Sequence, residues 1–250
     1  MAKTSGLAQQ IYIHGSDLSG DVGAISNAGS PRPLLDVTPI NKSAMERING
    51  LSDGEISFTA YFNDASLMAH PVLSALPTTD VIITWLLGGS VGDVAAGLVA
   101  KQVNYDPSRG ADGSLVITVQ NLGAAGTPLE WLRTLSAGKI THSSASSSTG
   151  VDDSGSSSKG IVGYLQVVDI DSGTPTVIIQ ESSDNGVGDS WATILAFSAV
   201  ANGAEPTAER KVATGSVERY LRITTTGSFS NLDMVVAYER GTAQDDVDLG

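Results

Sequence analysis

Glu55-Ile56-Ser57-Phe58-Thr59-Ala60-Tyr61-Phe62 alternates, with Ile56, Phe58, Ala60 and Phe62 on one side and mostly polar groups on the other. A period of two predicts a strand with one face on a core and the other free. Working outward, Asn63-Asp64 suits the cap of a short helix in which Leu67, Met68, Val72 and Leu76 share a face; Pro71 interrupts it and Pro77 closes it. Val81-Ile82-Ile83-Thr84-Trp85-Leu86-Leu87 is apolar on both faces, which predicts a central strand covered on each side. Val99 to Tyr105 and Leu115 to Gln120 predict two more strands, separated by the turn-rich Asp106-Pro107-Ser108-Arg109-Gly110-Ala111-Asp112-Gly113.

The composition agrees with strands joined by turns. There are 28 glycines in 250 residues, and only 16% of residues are charged, against about 25% in ordinary soluble domains. The 41% apolar share is ample for a core. With 27 acidic and 14 basic side chains the formal charge is −13, which repels phosphate and disfavours tight nucleic-acid binding. The absence of cysteine excludes disulfides, a thiolate nucleophile and cysteine-ligated zinc, and fits cytoplasmic synthesis. Met1 to Leu7 lacks the apolar run of a signal peptide, and no stretch approaches the roughly 18–20 apolar residues of a membrane span.

Ser143 to Ser158 is so rich in Ser and Gly that it reads as a linker or long surface loop, with order against a neighbouring domain as the alternative. Two units are therefore expected, over residues 1–139 and 161–241, joined through 140–160 and followed by an exposed arm at 242–250. Residues 1–139 hold 8 basic and 12 acidic groups (−4), and 140–250 hold 6 and 15 (−9). After the seam, strands are predicted at Ile161 to Val168, Thr176 to Glu181, Ala192 to Phe197, Lys211 to Thr214, Tyr220 to Thr225 and Leu232 to Glu239, the spacing of a small antiparallel sandwich.

Few residues suggest chemistry. Gly88-Gly89-Ser90-Val91-Gly92 matches the G-x-S-x-G elbow of serine hydrolases and follows a strand. A later histidine is then required, and only His142 qualifies, without the α/β alternation of such enzymes. His14, His70 and His142 have no zinc spacing. Asp169-Ile170-Asp171-Ser172-Gly173 and Asp184-Asn185-Gly186 read as turns more readily than as calcium loops, for want of a distal bidentate Glu. No phosphate-cradling glycine loop occurs, and no cofactor is expected. Of the tryptophans, Trp85 belongs to an apolar strand, Trp131 to a core helix or turn, and only Trp191 is expected at a surface.

Asp17-Leu18-Ser19-Gly20-Asp21-Val22-Gly23, Asp53-Gly54-Glu55-Ile56-Ser57-Phe58, Ala111-Asp112-Gly113-Ser114-Leu115-Val116-Ile117 and Pro128-Leu129-Glu130-Trp131 give residues 1–139 a resemblance to tail-tube proteins of long-tailed bacteriophages. Tyr164-Leu165-Gln166-Val167, Asp189-Ser190-Trp191 and Arg219-Tyr220-Leu221-Arg222 make the remainder similar to the Ig-like or carbohydrate-binding-like β-sandwiches such phages append. The resemblance implies a mainly β fold: a sandwich or barrel with a flanking short helix, then an antiparallel sandwich. It implies a virion tail protein that is no enzyme, with copies of itself and other tail proteins as partners. Six-fold rings would stack round a channel through which double-stranded DNA passes without tight binding. Such a channel should be polar to acidic, and Glu55, Ser57 and Thr59 are its candidate lining. A capsid decoration or a receptor- or carbohydrate-binding virion protein is the alternative, and a hydrolase using Ser90 the remote one.

Overall fold

The computed structural model describes residues 5–241, so the arm expected at 242–250 lies outside the described residues. The strands of the first half are β1 (Gln10–Ile13), β2 (Ser16–Asp17), β3 (Val22–Gly29), β4 (Leu34–Asp36), β5 (Arg47–Asn49), β6 (Glu55–Tyr61), β7 (Val81–Leu86), β8 (Val94–Gln102), β9 (Asp106–Arg109), β10 (Leu115–Gly123) and β11 (Glu130–Thr134). Those that follow are β12 (Ile140–His142), β13 (Val151–Asp152), β14 (Ile161–Gly173), β15 (Thr176–Ser182), β16 (Ala192–Ala196), β17 (Thr207–Ala213), β18 (Tyr220–Thr226) and β19 (Phe229–Arg240). The fold is mainly β with one short helix, α1 (Ala69–Ser74).

Asn63 does not cap this helix. Its side chain donates to Asp21 Oδ1 and accepts from the Ala65 amide, and the helix starts only after Met68. Asp21 Oδ2 takes the Ala69 N–H instead, at 2.9 Å, and Pro71 falls in the first turn where its missing N–H costs nothing. Ala69 and Leu73 are the buried pair, whereas Leu67 and Leu76 are exposed.

The pairings are antiparallel. One large sheet runs β17-β14-β19-β11-β8-β10-β6-β3, with β7 on β8, β1 on β7, β2 on β1, β9 on β10 and β12 on β19. A second sheet runs β13-β18-β15-β16, and β4-β5 stand apart as a hairpin. The large sheet thus crosses the expected division at 140–160: Arg133 pairs with Tyr238 and Thr134 with Ala237.

One apolar cluster, around Phe58, Ile83 and Leu98, keeps to the first half; another, around Leu165, Ile179 and Val236, belongs to the second half but takes in Leu135 from the first. The third joins both, bringing Tyr12, Leu86, Ala95 and Leu132 against Val162, Tyr164, Val235 and Ala237. Strands distant in the sheet order share it, so the sheet curls round that face. Gly97 makes room for Tyr164, since a Cβ there would lie 2.6 Å from the ring. Gly15, at φ +88°, brings the β1–β2 turn against β14 and β17, where a Cβ would meet Thr207 N at 2.3 Å. Its N–H donates to Gln166 Oε1 (2.7 Å), and Gln166 Nε2 donates to Thr84 Oγ1 (2.9 Å) and Ile82 O (3.1 Å).

Inside the curl, Arg210 of β17 clasps Glu130 of β11 with two hydrogen bonds, Nε to Oε2 at 2.7 Å and Nη2 to Oε1 at 2.5 Å. Tyr164 donates its hydroxyl to Glu130 Oε2 at 2.5 Å. Burial raises the Tyr164 phenol well above its ordinary range, and the Glu130 charge raises it further, so it stays a donor.

The Ser-rich segment packs on the second sheet. β13 pairs with β18, Ser147 bridges Thr224 and Ser157 bridges Val217. Asp152 takes both Arg219 donors, and Asp153, only 4% exposed, accepts from Arg133, Tyr238 and Arg240.

Because Arg210 neutralises a carboxylate that is 7% exposed, Arg210→Met should destabilise the chain by about 3–5 kcal/mol. The double variant Arg210→Met/Glu130→Leu should recover most of it, as read by urea unfolding.

Candidate functional site

The polar face of β6 was the sequence-based candidate. β6 lies between β3 and β10, and its inward residues Ile56, Phe58 and Ala60 enter the first cluster. Outward, Ser57 stands across from Asn27 and Gln120, and Thr59 from Ala24 and Thr118. Glu55 gathers this row: Ser57 Oγ donates to it at 2.5 Å, Asn27 Nδ2 at 2.7 Å and Gln120 Nε2 at 3.0 Å. These donors, Ser57 first, then Gln120, hold the Glu55 carboxyl below its usual range. Asn104 and Asp106 extend the polar strip, Asn104 Oδ1 accepting the Gln120 N–H at 2.7 Å and Nδ2 donating to Asp106 at 2.6 Å. Lys101, two strands from Glu55 on the same side of the sheet, is ion-paired to Asp80 at 2.7 Å. The face is therefore polar and acidic, with Glu55, Ser57 and Thr59 together on it.

A second surface was not anticipated. Between β3 and β6 the chain leaves the body as the β4–β5 hairpin, whose residues are exposed throughout. Leu34, Leu35, Val37, Ile40, Met45, Ile48 and Leu51 are all exposed, Ile40 fully so at 107%. Its two ends meet where the Gly50 N–H donates to Pro33 O at 2.7 Å. So large an apolar area outside a core marks an interaction site. The signal in the sequence was Leu34-Leu35, between Pro33 and Pro39, and the pair Met45 and Ile48 either side of Glu46-Arg47, both too short for a periodicity.

The residues considered for catalysis are not brought together. Ser90 sits in a turn whose amide is capped by Asp93 Oδ2 at 2.8 Å. His142 Nδ1 instead meets Thr225 Oγ1 at 2.9 Å and Ser146 Oγ at 3.1 Å, and burial lowers its pKa. Among the described residues no group of three or more His, Asp or Glu could hold a metal ion, and no helix is long and apolar enough to cross a membrane. Asp184 is saturated by the amides of Val187, Gly188 and Asp189. Trp131 is a strand residue and half-exposed, contrary to the core helix or turn expected for it. Trp191 is only partly exposed, and Arg222 stacks 4.3 Å from its ring centroid, which occupies the platform a sugar would need.

No protein-family model matches the chain, and no curated protein matches it. Chains of solved phage-type tails and baseplates are distantly similar. One from the tail of an empty gene transfer agent particle, refined with C6 symmetry, is 14% identical with a TM-score of 0.40, covering 52% of this chain and 98% of its own. The SPP1 Dit protein, titled a hub adsorption apparatus of phages infecting Gram-positive hosts, is 11% identical at 0.34, over 93% of this chain and 98% of its own. A chain of the phage p2 baseplate in its activated conformation with Sr is 8% identical at 0.33, over 92% and 98%.

The hydrogen bonds to Glu55 stabilise its ionised form, so their contribution is present above the ordinary carboxyl pKa and is lost as pH falls through the depressed one. A carbon-detected NMR titration should place Glu55 below the usual value of about 4.3. Ser57→Ala should move it back up.

Proposed function

We propose that this chain is a structural protein of a phage tail, whose copies join through the β4–β5 arm into rings round an open channel. The observation that carries the reading is the arm: six large apolar side chains held in water on a hairpin that adds nothing to the chain's own core. A partner surface is the physical remedy for such exposure. Residues 1–139 form the tube-like part, as the resemblance in their sequence implies, and the later strands turn outward as a module built onto the same sheet.

The row around Glu55 supports the channel. DNA must pass without being held, and each phosphate neutralised by Lys or Arg adds counterion-release affinity, with a log–log salt slope of roughly −0.9 per contact. A lining of Glu55, Ser57, Thr59, Gln120 and Asn27 supplies hydroxyls, amides and a carboxylate and no such contact. Other tail proteins would meet the ends of the stack.

Negative-stain imaging and mass photometry of the full chain test the reading. Rings with a central hole are the expected result, stacked for a tube and single for a hub. Excising residues 34–49 and joining Pro33 to Gly50 should leave the circular dichroism unchanged and the protein monomeric. A full chain that stays monomeric at every accessible concentration, or an excised chain that assembles equally well, would overturn it. Assembled rings should also fail to retain duplex DNA at physiological salt in co-sedimentation.

A further inference from the structure

The arm has a counterpart elsewhere on the molecule. A groove of about 560 Å³ lies where β14 and β17 meet the segment 198–204. Leu165, Val167, Val200, Ala204 and Ala208 line it, and Glu209 stands at its edge. Its volume is within the roughly 300–1,000 Å³ of formed binding sites. Glu209 is fixed, accepting the Ser198 N–H at 2.6 Å and the Ser198 hydroxyl at 3.1 Å, and nearby Glu205 accepts the Gly203 N–H at 2.7 Å. The groove is thus an apolar slot with one carboxylate in its lining, Glu209, which the exposed Lys211 approaches at 3.8 Å.

The arm fits it in chemistry and in charge. Its tip, Pro39-Ile40-Asn41-Lys42, carries a fully exposed apolar knob with a cation two residues on. Residues 30–52 hold three cations and two carboxylates, a net +1 in a chain whose total is −13. Lys42 is paired with Glu46 at 2.9 Å, both about half exposed. Such a pair contributes little, so Lys42 is free to exchange partners.

In the structure the arm does not occupy the groove of its own copy: every residue of β4 and β5 is exposed, and Ile40 fully so. A knob and a slot on different parts of the surface, joined between copies, make a heterologous contact, which closes into a ring when the rotation between copies allows. We propose that the arm tip of one copy seats in the groove of the next, with Ile40 on the apolar floor and Lys42 at Glu209. This rests on the self-assembly argued above and adds its address.

A photoreactive benzophenone amino acid at the exposed position 41, in an equal mixture of ¹⁵N-labelled and unlabelled full-length chains, tests it by mass spectrometry. The expected products are cross-links between isotopically different copies that join position 41 to peptides within 198–209. Ala204→Trp, which fills the mouth from an exposed position, should cut their yield by about tenfold or more and weaken ring formation. Its thermal midpoint should stay near that of the unsubstituted chain. Rings that form with cross-links elsewhere, or with none between copies, overturn the groove assignment and leave self-assembly standing. Absence of rings from the unsubstituted chain overturns both.

Discussion

The ion pair between Glu130 and Arg210 joins residues 80 positions apart across the inside of a curled sheet. A carboxylate in such a place is costly unless a cation and further donors meet it, and Arg210 and Tyr164 do so together. The surrounding structure follows from this. Gly97 lacks a side chain because the Tyr164 ring needs the space, and Gly15 does so because the first turn must close on β17. What the pair secures is register more than net stability. Slipping β17 by one residue against β14 would send Arg210 to the opposite face and leave Glu130 buried without its cation.

Strands whose pattern is local were legible in the sequence. The alternation of 55–62 and the two-sided apolar run of 81–87 correspond to β6 and β7, and the predicted starts at Ile161, Thr176, Ala192 and Tyr220 coincide with those of β14, β15, β16 and β18. What escaped was set by strand pairing, which no local pattern of apolar residues announces. β9 is Asp-Pro-Ser-Arg, a turn by composition, and is a strand because β10 lies beside it. β3 carries Gly and Asn without alternation, and the irregular register of its pairing with β6 explains why no period of two is visible. Trp131, following Pro128-Leu129-Glu130, reads as part of a core helix or turn, yet its strand turns Glu130 and Leu132 inward and leaves the ring half in water. In the candidate lining, the side of the sheet taken by Glu55, Ser57 and Thr59 was readable. The bonds that make it one unit come from Asn27 and Gln120 on other strands, and nothing local announces them.

The Ser-rich segment teaches the same lesson from composition. Serine and glycine bury little, so the stretch read as a linker or loop, but Asp152 and Asp153 lie within it and find three arginines, on β11, just before β18 and on β19. Charge pairing supplied the order that apolar content could not. It also couples the halves: Arg133 belongs to the first and Arg240 to the last strand, and one buried carboxylate receives both.

A chain at −13 resists self-association at long range, and salt shortens that repulsion to a Debye length of about 8 Å at physiological strength. Contact must then come from a part of the surface that does not share the excess. The arm, apolar and slightly basic, is such a part. On the proposed assembly, distributing acidity over the body and withholding a net negative charge from one hairpin would make the rest of the surface unreceptive and leave one attachment open. The same distribution serves the polar row round Glu55: a surface that discourages stray contacts between copies also discourages phosphate from lodging on it. Association and passage would then draw on one property of the sequence, its shortage of cations, with the hairpin as the exception that lets copies meet.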